Sequence, residues 1–164
     1  MPGDPDGPRP HTVLFVCTGN TCRSPLAEAV CKRLLADRLG CGVDELPGRG
    51  FEVRSAGVAT WPGLPASLEA EAAAQAVGVD VSAHRSRPVN PELLIRATDV
   101  IAMTAGHAAA LRARFPDLGP PPVLLGGTED LEDPIGADAA VYRACADTIR
   151  RHLTRFLTEW LGPP

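Results

Sequence analysis

Two cysteines and an arginine share one short stretch, Cys17-Thr18-Gly19-Asn20-Thr21-Cys22-Arg23-Ser24, between an apolar run and a helix-like run. A loop that leaves a strand and runs into a helix can turn its backbone N–H groups onto one anion, helped by the helix dipole. Gly19 and Asn20 suit the unusual backbone angles of such a cradle. Arg23 adds a permanently charged, two-pronged clamp for phosphate-like oxygens. The same field favours loss of the Cys17 proton, and a thiolate inside an anion cradle is a nucleophile aimed at a tetrahedral oxyanion. Cysteine, five residues, then arginine is therefore a pattern suited to attack on phosphorus. The plain alternative is a buried thiol at a strand end. A zinc half-site at Cys17 and Cys22 needs a second close-spaced pair, which the chain lacks. A nucleotide-binding phosphate loop needs a Gly-Lys-Ser/Thr ending, which is also absent. No metal and no cofactor is expected.

These residues need a strand and a helix to place them. Thr12–Cys17 is apolar and β-branched, the pattern of a buried parallel strand. Ser24 reads as a helix N-cap with Pro25 at the first helical position, and the helix ends near Arg38 and Gly40. Cys41–Gly50 reads as a loop and Phe51–Ala56 as a second strand. Ser67–Val77 is alanine-rich and helical, Asn90-Pro91 opens a short helix, and Asp99–Met103 is a third strand followed by a helix over Thr104–Phe115. Val123–Leu125 is a short fourth strand. In the last helix, Val141, Cys145, Ile149, Leu153, Phe156 and Trp160 form the apolar face. Strands alternating with helices predict α/β architecture: a three-layer sandwich with a parallel sheet flanked by helices.

Bulk composition narrows the function. The chain has 164 residues, 45% hydrophobic and 22% charged, with a net charge of −4 and no Lys/Arg-rich run. Nucleic acid and anionic membranes are therefore not expected partners. The longest apolar runs are too short to span a bilayer, and the start lacks the pattern of a signal peptide, so a cytoplasmic location is expected. Five cysteines leave at least one unpaired, which suits a reducing compartment. The Pro-, Gly- and Asp-rich residues 1–10 are expected to be a disordered leader, and 11–164 a single domain.

The stretch "VLFVCTGNTCRSPLAEAV" (Val13–Val30) resembles the nucleophile loop of the low-molecular-weight protein tyrosine phosphatase family. The likeness continues in "VRSAG" (Val53–Gly57), "SAHRSRPV" (Ser82–Val89), "DVIAMT" (Asp99–Thr104) and "DPIG" (Asp133–Gly136), and covers Thr12 to Leu161. It implies a four-stranded parallel sheet and a phosphate-binding loop formed by Cys17, Thr18, Gly19, Asn20, Thr21, Cys22, Arg23 and Ser24. Cys17 would be the nucleophile and Arg23 the oxyanion clamp. Asp133 would protonate the leaving group, then activate water against a cysteinyl-phosphate intermediate. Its setting among Glu129, Asp130 and Glu132 also fits a plain solvated acidic loop. Ser24 would donate to the thiolate, and Ser55 and His84 would hold Asn20 in a strained position. Trp61 matches an aromatic lining the cleft, although it sits beside Pro62 and Gly63 where it could equally cover a core edge. Cys22 would capture an oxidised Cys17 as a disulfide, whereas Cys31, Cys41 and Cys145 read as structural. The implied partners are phosphorylated proteins, with inorganic phosphate as product and inhibitor.

The phosphorylated residue is set by the walls of the cleft. Tyrosine phosphatases of this family place Ile or Leu where Thr21 stands, and aromatics directly after the Asp-Pro. Here Ile135 and Gly136 follow Asp133-Pro134, and Ile135 departs as well from the aromatic usual after Asp-Pro in arginine phosphatases of the family. "CTGNTCRS" resembles the protein-arginine phosphatase branch instead. A guanidinium leaving group is planar and polar, and suits the Thr21 hydroxyl and the carboxylates near Asp133 better than a phenyl ring does. Thr21, Trp61 and Ile135 are thus the expected substrate-lining residues. Phosphotyrosine is the alternative substrate. Arsenate reductases of similar fold need two further cysteines past the second strand, and the chain has none between Ser55 and Thr104.

Overall fold

The structure is a computed structural model and describes residues 9–164; residues 1–8, most of the expected leader, lie outside the described residues. β1 (His11–Cys17) is buried at every position after His11, which explains a run of apolar and β-branched residues without polar alternation. It pairs in parallel with β2 (Phe51–Gly57) on one side and β3 (Asp99–Ala102) on the other. β4 (Val123–Leu124) adds to β3, giving a four-stranded parallel sheet of order β2-β1-β3-β4.

Alternation along β1 sends side chains to two separate layers. Val13, Phe15 and Cys17 join the apolar cluster shared with α1 (Arg23–Leu39), α2 (Leu68–Ala76) and α5 (Ala139–Leu161). Leu14 and Val16 pack on the opposite face with Leu94 of α3 (Pro91–Arg96) and Leu111 of α4 (Ala105–Arg114). The result is the expected three-layer sandwich. With so few aromatics the core is aliphatic. Ile149 and Leu153 are fully buried, and truncating such residues to alanine costs roughly 2–5 kcal/mol.

Parallel strands bring their carboxyl ends to one edge, where ligands bind in open α/β sheets. The opposite edge is closed by aromatic rings. His11 stacks on Phe51 at 5.5 Å, and Trp160 meets them edge-on at 5.2 and 5.6 Å. The C-terminal end of α5 is thereby fixed at the edge away from the loop that follows β1.

Several boundaries differ from the sequence reading. α1 starts at Arg23, with Cys22 in the cap position at φ −137°, so Ser24 is not the N-cap. Pro25 is the third helical residue, where a missing N–H costs nothing because the first N–H groups of a helix have no intrahelical acceptor. Cys41–Gly50 is not plain loop: it contains two 3₁₀ turns, Val43–Glu45 and Pro47–Arg49, which carry Leu46 into the core. In α5, Val141 is exposed and Tyr142 turns inward in its place, while Phe156 and Trp160 are only half-buried. The Asp138 carboxylate caps α5 by accepting the Val141 N–H at 3.1 Å.

Candidate active site

The loop after β1 folds around the Cys17 sulfur. The Asn20 N–H donates to Cys17 Sγ at 3.3 Å, and Ser24 Oγ lies 2.9 Å from the same sulfur. Turning the Asn20 amide inward requires a left-handed backbone, and Asn20 adopts φ 53°. Asparagine tolerates that region better than most residues. Every polar group of Asn20 is then occupied. Its Nδ2 donates to Ser24 Oγ and to Ser55 Oγ, both at 2.9 Å, and Oδ1 accepts the Arg87 N–H at 2.9 Å. The Asn20 carbonyl lies 2.6 Å from His84 Nε2. Ser55 in turn donates to Glu28 Oε1 at 3.0 Å. The direction of this chain matters. Because Asn20 donates into Ser24 Oγ, the Ser24 hydroxyl proton is free to point at Cys17 Sγ. The residue expected to cap α1 has its hydroxyl turned to the sulfur instead.

The end of β2 supports the loop from beneath. A Cβ at Gly57 would lie 2.5 Å from the Thr18 carbonyl oxygen and 3.1 Å from Asn20 Cβ, so only glycine allows this approach. Gly57→Ala is expected to push the loop off the sheet. Displacements of this size cost up to about 100-fold in rate, and we expect kcat/KM for p-nitrophenyl phosphate to fall at least about 10-fold. Circular dichroism should stay unchanged. A wild-type rate would show that the loop does not depend on this contact.

Arg23 reaches across to the segment before α5. It is only 5% exposed, and its Nη1 donates to the Leu131 carbonyl at 2.9 Å while Nη2 lies 3.5 Å from Asp133 Oδ2. That segment is itself fixed to the β3–α4 corner. The Leu131 N–H donates to the Met103 carbonyl at 2.8 Å, and Asp130 Oδ1 accepts the Ala105 N–H at 2.7 Å. Asp133 keeps 42% of its side chain exposed, with Oδ1 accepting the Ile135 N–H at 3.1 Å. A partly open carboxylate thus stands beside a buried guanidinium. Thr21 is partly exposed, and its carbonyl accepts the Ser67 N–H at the start of α2. Trp61 is 78% exposed, so it does not cover a core edge. Ile135 is exposed as well.

The five thiols are all free, and they are not alike. Burial pushes the Cys31 thiol up to about 12 and the Cys145 thiol up to about 11. Cys22 is pushed up further by burial, with Cys145 and Cys17 adding to it. Cys41 is half-exposed. Among the described residues, no cluster of three or more His, Cys, Asp or Glu is placed to hold a metal, and no helix is long and apolar enough to cross a membrane.

Two residues escaped the sequence reading. Glu28 terminates the hydrogen-bond chain through Ser55. His107, in the first turn of α4, lies with Nε2 2.7 Å from Thr18 Oγ1. Its own N–H bonds to Thr104 Oγ1, so the cap spacing is visible in the sequence. The partnership with Thr18 is not, because it forms only when β3 pairs beside β1.

Comparison with known proteins agrees with this arrangement. The family model for low molecular weight phosphotyrosine protein phosphatases matches residues 12–161. The chain belongs to this family. Among its relatives, a protein-arginine-phosphatase of Geobacillus stearothermophilus is 40% identical over 151 residues, covering 89% of this chain and 93% of the relative. Another protein-arginine-phosphatase, from Bacillus subtilis, is 34% identical, covering 90% and 95%. The solved arginine phosphatase YwlE of Geobacillus stearothermophilus superposes with a TM-score of 0.79 at 36% identity, covering 93% of this chain and 94% of that one.

Proposed function

We propose that the protein is a cysteine-dependent phosphoprotein phosphatase that hydrolyses phosphoarginine through a cysteinyl-phosphate intermediate. The observation that carries this reading is the Cys17 sulfur, held by the Asn20 amide and Ser24 hydroxyl, in the loop whose Arg23 contacts the segment bearing Asp133. In the first step the loop N–H groups and Arg23 bind the phosphoryl oxygens. The Cys17 thiolate attacks phosphorus, the S–P bond forms and the P–N bond breaks. Asp133 gives its proton to the departing guanidine nitrogen. In the second step Asp133, now a carboxylate, takes a proton from water. That water attacks phosphorus, the S–P bond breaks and inorganic phosphate leaves. These steps use side chains and water only.

Arginine is favoured as the phosphorylated residue by the names of two relatives and by the hydroxyl of Thr21. Phosphotyrosine is the second reading, and the open indole of Trp61 speaks for it, since it offers a stacking surface. Matched peptides carrying phosphoarginine or phosphotyrosine, with Cys17→Ser as blank, separate the two. We expect kcat/KM to favour phosphoarginine. Thr21→Ile should shift the ratio toward phosphotyrosine by about 10-fold or more, the scale of one wall contact. A preference for phosphotyrosine in the unaltered enzyme would overturn the arginine assignment. The partners proposed are phosphorylated proteins, with phosphate as product and inhibitor, acting on one domain spanning 11–164 in the cytoplasm.

Cys22 is proposed as a resolving thiol. Peroxide would oxidise Cys17 to the sulfenic acid. Attack by Cys22 forms the disulfide and releases water. Burial keeps the Cys22 thiol protonated, so this capture should be slower than by an exposed thiol. After peroxide treatment long enough to carry an uncaptured sulfenic acid on to the sulfinic acid, dithiothreitol should restore the wild-type activity but not that of Cys22→Ser. Equal recovery in both would argue against the resolving role.

A further inference from the structure

His107 is buried, touches the catalytic loop and has no part in the steps above. Its Nδ1 is, among the described residues, the one buried side-chain nitrogen or oxygen without a hydrogen-bond partner. Burial, with the nearby Arg23 charge adding to it, pushes its pKa down to about 4, so the ring is neutral near pH 7 and carries one N–H. A proton on Nδ1 would be a buried donor with no acceptor. A proton on Nε2 is used on Thr18, which makes that tautomer the cheaper one. Thr18 Oγ1 then accepts from the ring, and the hydroxyl proton of Thr18 must point away from it. Thr18 is exposed and directly follows the nucleophile in the loop. The charges that face the ring are Arg23 of α1 and Asp130 and Asp133 of the segment before α5. Asp130 Oδ1 accepts the Ala105 N–H at 2.7 Å, so the segment carrying Asp133 lies against the start of the helix that bears His107, and the pair stands on that side of the loop, where the leaving group must sit to receive a proton from Asp133.

We propose that His107 is a positioning residue whose Nε2–H holds Thr18 Oγ1, so that the Thr18 hydroxyl proton is offered to the leaving-group side of the phosphate cradle. The proposal rests on the phosphatase reading but not on which phosphorylated residue is the substrate.

The test is a double-mutant cycle in kcat/KM, run on whichever of the two phosphopeptides the wild-type enzyme hydrolyses faster. His107→Leu and Thr18→Val are each expected to lower kcat/KM about 10-fold, the scale of one oriented hydrogen bond, and the double variant no further. His107→Gln, whose amide nitrogen reaches the place of Nε2, should keep most of the activity. His107→Asn, whose amide reaches only the place of Nδ1, should behave like His107→Leu, and it completes the cycle if the leucine variant does not fold. Losses that multiply in the double variant would overturn the proposal, as would an unchanged Thr18→Val enzyme or equal effects of Gln and Asn. Those results differ from failure of the phosphatase reading itself, in which the wild-type enzyme would hydrolyse neither peptide and the proposal would fall with it.

Discussion

Cys17→Ser is expected to lower kcat/KM by roughly 10⁴-fold or more, the scale seen when a covalent nucleophile is removed. Serine fits the same space. Its hydroxyl accepts the Asn20 N–H and faces Ser24 much as the sulfur does. An alcohol is not ionised near pH 7, however, so its attack on phosphorus is far slower than a thiolate's. The hydrogen bonds of the loop donate toward the sulfur and so assist an anion that serine does not supply. Inorganic phosphate should still bind within a few-fold of the wild-type affinity, because the loop amides and Arg23 are unaltered. That pairing separates lost chemistry from lost folding. Residual activity of a few per cent would place the nucleophile elsewhere.

Arg23→Lys is expected to lower kcat/KM by about 10² to 10³-fold, the range for losing an oriented donor to a transition-state oxyanion. Lysine keeps the charge, so the loss would come from geometry. The guanidinium donates to the Leu131 carbonyl through one nitrogen and sits beside Asp133 through the other. A planar fork can hold the Leu131 contact and still present N–H groups to phosphoryl oxygens; a single ammonium must choose. The Leu131 contact also ties the Cys17–Ser24 loop to the segment carrying Asp133, the proposed acid. Arg23→Lys should therefore raise the dissociation constant of inorganic phosphate as well as lower kcat. A variant within 10-fold of wild type on both readouts would show that charge alone suffices.

How much of this was legible in the sequence depends on distance along the chain. The fold of the loop from Cys17 to Ser24 was readable because the proposed nucleophile, the turn residues and the proposed clamp are contiguous, and their types have few other joint uses. The sheet was readable because β1 is apolar throughout and short strands alternate with capped helices. Asn90-Pro91 opens α3 as expected, with Asn90 Oδ1 accepting the Leu93 N–H at 2.9 Å. Ser24 misled because a serine before a proline has two uses, and the demand of the sulfur for a donor outweighed capping. The first turn of α5 misled because helical phase alone did not separate Val141 from Tyr142. The larger, amphipathic ring took the inward position near Cys22 and Cys145. The contacts of His107 with Thr18 and of Glu28 with Ser55 were not legible. The partners lie 89 and 27 residues apart, and only the pairing of β1 with its two neighbours brings them together.

The most direct test of the account is to trap the phosphoenzyme. A phosphoarginine peptide is mixed with enzyme, quenched within the first turnover, and the protein digested and mapped by mass spectrometry. The account predicts one phosphoryl group, on Cys17, formed within the first turnover. A larger amount is expected in Asp133→Asn when the intermediate is loaded from a substrate with a good leaving group, since activation of water is then impaired. Rapid release of phosphate with no phosphoryl group on Cys17 at any quench time, or its appearance on another residue, would contradict the account.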